Sequence, residues 1–177
     1  MTTWIALLRG INVGGNNILP MKELRALLEG EGFENIRTYI QSGNCVFMAG
    51  ATDANELADK IAGRIERMFG FKPAVLVLKR QDLQQVVERN PFATLVKDPK
   101  TMHFSFLKSP ATDPDLHALE AIKIDTEQFK LIDSVFYLYA PEGIGRSKLA
   151  TQVEKKLGVP ATARNLRTVL KLLELAD

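Results

Sequence analysis

The chain has 177 residues, of which 46% are apolar and 25% are charged, and its formal net charge is +2. This balance is typical of a soluble globular protein with one domain or two small ones, and so small a net charge does not favour nucleic-acid binding. Cys45 is the single cysteine, which excludes an internal disulfide and leads us to expect a reducing, cytoplasmic location. No apolar run approaches the roughly 18 residues of a membrane span, so neither a signal peptide nor a membrane partner is expected.

Residues 1–92 predict strands and helices in the order βαββαβα. Pro20 starts the first helix, Asp53 caps the second, and Pro91 follows the end of the third. The predicted strands are 4–9, 36–41, 44–48 and 74–79. The second helix has an apolar stripe at helical spacing, formed by Leu57, Ile61, Ile65, Met68 and Phe69.

The same order returns as a weak repeat after a polar connection at 93–101. Asp113-Pro114 is predicted to cap the first helix of this half, Ser147 the second and Asn165 the last. The predicted strands are 102–107, 127–132, 135–140 and 160–164. The last helix has an apolar face made of Leu166, Val169, Leu170 and Leu173. The sequence therefore predicts two domains, residues 1–92 and residues 101–177, the second with a terminal helix.

Each half is predicted to be a ferredoxin-like, βαββαβ-type unit, which gives an α+β fold of two such halves in tandem. The sheets are expected to be antiparallel or mixed, with helices on one face. Right-handed crossovers give the strand order 4-1-3-2. This order places residues 11–17 beside residues 41–44 at one edge of the first sheet. It places residues 143–149 beside residues 163–166 at one edge of the second.

Polar residues at these two edges are predicted to bind a ligand, because Asn, Gln and Ser orient groups by hydrogen bonds and Arg binds anions. Helix starts at Ser147 and Asn165 also favour an anion. The candidate residues are Arg9, Asn12, Gly14, Gly15, Gln41, Ser42 and Asn44 at the first edge, and Arg146, Ser147, Lys148, Arg164 and Asn165 at the second. The structural alternative is that Gly and Asn only accept positive φ, and that Ser147 and Asn165 are ordinary caps.

Other chemistry is poorly supplied by the sequence. The segment from Gly10 to Gly15 has the glycine spacing of a P-loop, but Asn16-Asn17 replaces the Lys and hydroxyl that bind phosphates and Mg²⁺. His103 is expected to be packed on a strand and to bind no metal, and Cys45 to be a small core hydrophobe. No cofactor and no metal are predicted, whereas acid–base catalysis by carboxylates from elsewhere in the fold stays open.

The stretches "LRGINVGG", "RTYIQSGN", "GRSKL" and "ATARN" resemble the bacterial family called domain of unknown function 1697. The resemblance covers nearly the whole chain and implies an α+β protein of two ferredoxin-like halves, with no established activity. Members of that family often have a Trp where this chain has Leu166, and many have Val where it has Cys45. A stacking role for such a Trp is therefore missing here, and thiol chemistry is not expected as a shared function.

The leading hypothesis is a cytoplasmic protein that binds a small anionic ligand, such as a phosphorylated or carboxylated metabolite or a nucleotide. One alternative is an enzyme acting on such a ligand, and another is a structural adaptor. A further alternative is weak nucleic-acid binding through residues 144–177, which hold 7 Lys or Arg against 3 Asp or Glu. RNA binding on the sheet face would need exposed aromatics such as Tyr137 and Tyr139.

Overall fold

The computed structural model describes residues 1–50 and 53–177. These residues form eight strands and six α-helices. Their order is β1 (Thr2–Arg9), α1 (Met21–Gly30), β2 (Glu34–Tyr39), β3 (Asn44–Ala49), α2 (Ala54–Phe69), β4 (Ala74–Lys79), α3 (Arg80–Glu88), β5 (Met102–Leu107), α4 (Leu116–Ile122), β6 (Gln128–Ile132), β7 (Val135–Tyr139), α5 (Lys148–Leu157), β8 (Ala161–Asn165) and α6 (Leu166–Leu175).

The strands form two four-stranded sheets with the orders β2-β3-β1-β4 and β6-β7-β5-β8. Neighbouring strands pair antiparallel in both sheets. This is the predicted 4-1-3-2 order, so the α+β fold of two ferredoxin-like halves is confirmed. The order follows from right-handed crossovers, which bring the first and third strands of each half together in the middle of the sheet.

The core of the first half is built by β1, β3, β4 and helices α1 and α2. Its buried members include Trp4, Leu8, Leu24, Phe47, Ile61 and Ile65. The side chain of Asp53 accepts hydrogen bonds from the backbone N–H groups of Asn55 and Glu56, so the predicted cap of α2 is confirmed. Met68 was expected in the apolar stripe of α2, but it is 54% exposed. Phe69, which was also predicted in the stripe, is partly buried against the core.

In the second half, Leu119 of α4 and Leu149 of α5 share a core with Phe136 and Leu138 of β7. The predicted cap of α4 at Asp113 is wrong. Asp115 is the cap, because its carboxylate accepts a hydrogen bond from Ala118 N, three residues further along the chain.

The predicted apolar face of α6 needs one correction. Leu170 is 44% exposed, while Leu172 is fully buried. Val169 and Leu173 are buried as predicted. The buried face is therefore the one that holds Val169, Leu172 and Leu173, three and four residues apart.

The chain contacts define two compact units. The first unit is residues 1–85 with 170–177, and the second unit is residues 86–169. The predicted domain bounds, 1–92 and 101–177, stay a prediction. The contacts group residues 86–92 with the second unit and residues 170–177 with the first.

Candidate functional site

At the predicted first edge, the segment after β1 and the segment before β3 are in direct contact within the first unit. Leu8 N donates to Gly43 O at 2.8 Å, and Asn12 Nδ2 donates to Gln41 O at 2.8 Å. We call residues 9–19 and 39–44 together the loop edge. Six of the candidate binding residues lie within it on either side of these bonds, and Arg9 lies at its first position.

Residues 12–17 of the loop edge form a small β-hairpin. Asn12 N donates to Asn17 O at 3.0 Å, and Asn16 N donates to Val13 O at 2.9 Å. The two central residues are Gly14 and Gly15, with φ of 55° and 77°. Such a two-residue turn needs positive φ at both central positions, which explains the glycines without a bound phosphate.

The asparagine side chains hold this hairpin in place. Asn12 has a φ of 53°, its Nδ2 also donates to Leu19 O at 2.9 Å, and its Oδ1 accepts from Leu19 N at 2.8 Å. Asn17 Nδ2 donates to Gly10 O at 3.0 Å. Asn44 is fully buried, and its Nδ2 donates to Tyr39 O and to Ser42 Oγ. The geometry therefore gives Asn12 and Asn44 a structural role, and their role in binding a ligand stays a prediction.

Gly43 is needed for close packing at the loop edge. A Cβ at this position would lie 2.6 Å from Leu8 Cβ and 2.9 Å from Ile11 Cδ1, and its φ is 87°. Both the space and the backbone conformation exclude a larger residue. Gly43 thus allows the turn before β3 to lie against the end of β1.

The loop edge presents to solvent a surface with few charges. Arg9, Gln41 and Ser42 are exposed. Three aliphatic residues are also exposed, namely Val13 at 62%, Ile18 at 55% and Ile40 at 50%. Each of these three is the chain neighbour of a residue in the hydrogen-bonded group of Asn12, Leu19 and Gln41.

The predicted second edge is organised around a buried carboxylate. Ser147 caps α5 by accepting from Ala150 N at 3.0 Å, and its hydroxyl donates to Glu127 Oε2 at 2.5 Å. Glu127 is only 2% exposed, and its Oε1 accepts from Ile124 N at 3.0 Å. A carboxylate of the protein itself therefore lies at the start of α5, where the helix dipole would otherwise favour a bound anion.

The other candidates of the second edge have simpler surroundings. Asn165 caps α6 by accepting from Thr168 N at 3.0 Å, as the sequence predicted for this residue. Arg164 donates to Ala163 O at 2.9 Å, while Arg146 and Lys148 are exposed. The sequence did not identify Glu127, because the partner of an acidic residue before a strand is set only by the tertiary fold.

Two aromatic positions bear on the alternatives. Tyr137 is 1% exposed, and its hydroxyl donates to Val86 O at 2.8 Å, so its ring is not available to stack on a base. His103 is 8% exposed, and its Nε2 has no hydrogen-bond partner among the described residues. Burial lowers the pKa of the His103 imidazole, because removal from water disfavours the charged form.

Metal and membrane chemistry find no support in residues 1–50 and 53–177. Within those ranges, no group of three or more His, Cys, Asp or Glu side chains could hold a metal ion. None of the helices described there is long and apolar enough to cross a bilayer.

A cavity of about 320 Å³ lies in the first unit, lined among others by Glu31, Phe33 and Lys60. Its cation is already paired, since Lys60 Nζ lies 3.3 Å from Glu31 Oε2 and 5.3 Å from the centroid of the Phe33 ring. Arg64 also pairs with Glu31, at 3.1 Å. The charge of Lys60 in the wall of this cavity is therefore already paired with Glu31, and none of the candidate residues is among those that line it.

The fold and the loop edge together define an α+β protein of two ferredoxin-like halves, with a hydrogen-bonded, solvent-facing loop pair in the first half. The family described as "Protein of unknown function (DUF1697)" matches residues 1–137, and the chain belongs to this family. A solved structure of a conserved bacterial protein from Streptococcus pneumoniae is similar over 99% of this chain and 99% of its own. Its identity is 24% and its TM-score is 0.77, a likeness that shows the fold alone. No curated protein matches the chain.

Proposed function

We propose that this protein acts by binding, and that it holds an anionic group at the loop edge through Arg9. One observation carries the proposal: Arg9 is the only charged residue in residues 9–19 and 39–44. It is exposed, as are Gln41 and Ser42 of the same loop edge. A guanidinium with neighbouring amide and hydroxyl groups suits a carboxylate or a phosphate.

Binding is favoured over catalysis by the composition of the same segments. Residues 9–19 and 39–44 contain no Asp, Glu, His, Cys or Lys, and Tyr39 is the one side chain in them of a type that serves as a general acid or base. An enzyme would have to take at least one of its acid and base groups from elsewhere in the fold. Native mass spectrometry of protein purified from cells would separate the two, since conversion of a retained metabolite would indicate an enzyme.

The second edge remains a competing anion site, with Arg146, Lys148 and Arg164 as its cations. The buried Glu127 carboxylate disfavours it, because like charges near one helix start repel. Nucleic-acid binding through residues 144–177 and the cytoplasmic location also stay predictions.

The test is a thermal melt of the wild type and two matched variants, Arg9→Gln and Arg146→Gln. Each is measured in millimolar sodium phosphate and in sodium chloride of equal ionic strength, so that screening is constant. We expect phosphate to raise the melting temperature of the wild type and of Arg146→Gln, but not of Arg9→Gln. Loss of the effect in Arg146→Gln alone would move the site to the second edge. No effect on the wild type would contradict anion binding.

A further inference from the structure

We propose that the loop edge docks a protein segment in which an aliphatic side chain lies beside an acidic one, with Ile40 as the central anchor. The proposal rests on the proposed function in one respect, because Arg9 supplies the charge that the acidic side chain would meet. It adds the class of partner and the residues that select it.

The backbone at Ile40 supplies the first argument. Ile40 has a φ of 49°, in the left-handed region that a β-branched residue rarely adopts. Asparagines bind the carbonyl groups of both flanking residues, since Asn44 Nδ2 donates to Tyr39 O at 3.1 Å and Asn12 Nδ2 donates to Gln41 O at 2.8 Å. Two side chains thus hold an unfavourable conformation in place. Strained backbone of this kind is characteristic of binding and catalytic sites.

The direction of the Ile40 side chain supplies the second argument. Half of it is exposed, so the conformation does not serve to bury it in the core. Asn or Gly would meet the same backbone demand more easily. A rigid aliphatic group fixed in solvent loses little conformational freedom on binding, which is the property of an anchor residue.

The shape of the loop edge favours a macromolecule over a small molecule. Six consecutive residues, 13–18, are exposed, and a Cβ added at Gly14 or Gly15 would meet nothing within 4 Å. The hairpin therefore projects into solvent. Small ligands are enclosed in concave sites, whereas a projecting turn fits a groove or lies along an extended segment.

The composition of the loop edge fits a protein interface. Val13, Ile18 and Ile40 supply aliphatic surface, and Lys, Asp and Glu are missing from the segments. Depletion of these charged residues with retention of Arg marks the centre of protein interfaces. The single positive charge of Arg9 is complementary to an acidic residue of the partner. A second copy of this loop edge would supply no acid, because residues 9–19 and 39–44 contain no Asp or Glu.

The probe is a phage-displayed library of random dodecapeptides, selected on the immobilised wild-type protein. Selected peptides are synthesised, and their dissociation constants are measured by fluorescence anisotropy. The variants are Ile40→Asn, Val13→Ser and Arg9→Gln. Ile124→Asn is the matched control, because Ile124 is also about half exposed, at 49%, and lies outside the loop edge.

We expect the selected peptides to carry Asp or Glu close to Leu, Ile, Val or Phe. Ile40→Asn and Val13→Ser should each weaken binding by about tenfold or more, the loss typical of an interface anchor, while Ile124→Asn binds like the wild type. Failure to select any peptide, or equal binding to Ile40→Asn, would overturn the docking proposal. Peptides that need Ile40 but contain no acid, and that bind Arg9→Gln equally, would support docking while refuting anion binding.

Discussion

The turns β2–β3 (residues 40–43) and β6–β7 (residues 133–134) occupy equivalent places in the two halves, and each begins in the same backbone conformation. Each contains a residue in the left-handed region, Ile40 with a φ of 49° and Asp133 with a φ of 51°. Asp tolerates this region because its short polar side chain can hydrogen-bond locally, whereas Ile is disfavoured by about 1–2 kcal/mol. The fold therefore needs only the backbone conformation. Under the docking proposal, the choice of Ile in the first half serves the surface that it presents.

The connections that follow the first strand of each half differ in the same sense. Residues 108–115 contain Lys108, Asp113 and Asp115, and Asp115 caps α4. Residues 10–20 contain no charge, and α1 has no side-chain cap. Asn12 closes this connection instead, through its bonds to Leu19 and Gln41. One connection is an ordinary polar loop, and the other is a hairpin whose shape is fixed internally.

The largest expected effect comes from a substitution at Gly43, whose backbone packs closely against Leu8 and Ile11 in the first half. Gly43→Ala should lower the free energy of unfolding by about 3 kcal/mol or more, since the new methyl group meets Leu8 and Ile11 at a positive φ. Gly145→Ala is the control, because a Cβ there meets nothing within 4 Å. Chemical denaturation measures both. A Gly43→Ala protein as stable as the control would show that the two segments separate readily.

The next effect concerns the residue that fixes the hairpin. Asn12→Ala removes one acceptor and two donated bonds and should lower the free energy of unfolding by about 2 kcal/mol. Asn16→Ala, an exposed neighbour in the same hairpin, should change it by less than about 0.5 kcal/mol. Equal melting temperatures for the two variants would contradict the structural role of Asn12 and favour its predicted role in ligand binding.

A reciprocal pair of substitutions tests the comparison of the turns directly. Ile40→Asn should raise the free energy of unfolding by about 1 kcal/mol, and Asp133→Ile should lower it by about the same amount. For a chain of this size, about 1 kcal/mol shifts the melting temperature by about 2–4 °C. Two substitutions that both destabilise would mean that Ile40 is held by packing that outweighs its backbone strain.

The smallest effect is a pH dependence that belongs to the second half. Burial depresses the folded-state pKa of His103, so its contribution to stability is present above the unfolded value of about 6.5 and is lost as the pH falls through the folded pKa. The free energy of unfolding of the wild type should therefore fall more steeply than that of His103→Leu between about pH 7.5 and about pH 5.5. Denaturation of both proteins across this range measures the difference. Parallel profiles would show that the imidazole is solvated in the folded protein.

The strand order and the first edge could be predicted because hydrophobic spacing identifies the strands and the handedness of crossovers restricts their order. The bridge from Asn12 to Gln41 crosses 29 residues, and the bond from Ser147 to Glu127 crosses 20. Neither hydrogen bond corresponds to a residue spacing that could be recognised in the sequence. The sequence therefore located the polar residues but not whether they face a ligand or the protein's own backbone.

The predicted burial of some individual side chains was wrong for a similar reason. Met68 and Leu170 satisfy helical spacing, yet each lies beyond the stripe that its neighbours bury. The left-handed conformation of Ile40 could not be predicted either, since the propensity of Ile points to an extended strand residue. The structure shows instead that Asn44 and Asn12 bind the carbonyl groups of the two flanking residues, Tyr39 and Gln41.

The hydrogen bonds within residues 10–19 also affect how easily a protease could cleave this exposed segment. A protease needs several consecutive residues of substrate in an extended, locally unfolded form. The exposed stretch 13–18 lies within a closed hairpin, and Asn12 and Asn17 tie its base to Leu19 and Gly10. Exposure here therefore does not mean susceptibility to cleavage, because opening the chain would first break these bonds. In such a hairpin the aliphatic side chains stay exposed to solvent, while the peptide bonds between them are protected from a protease.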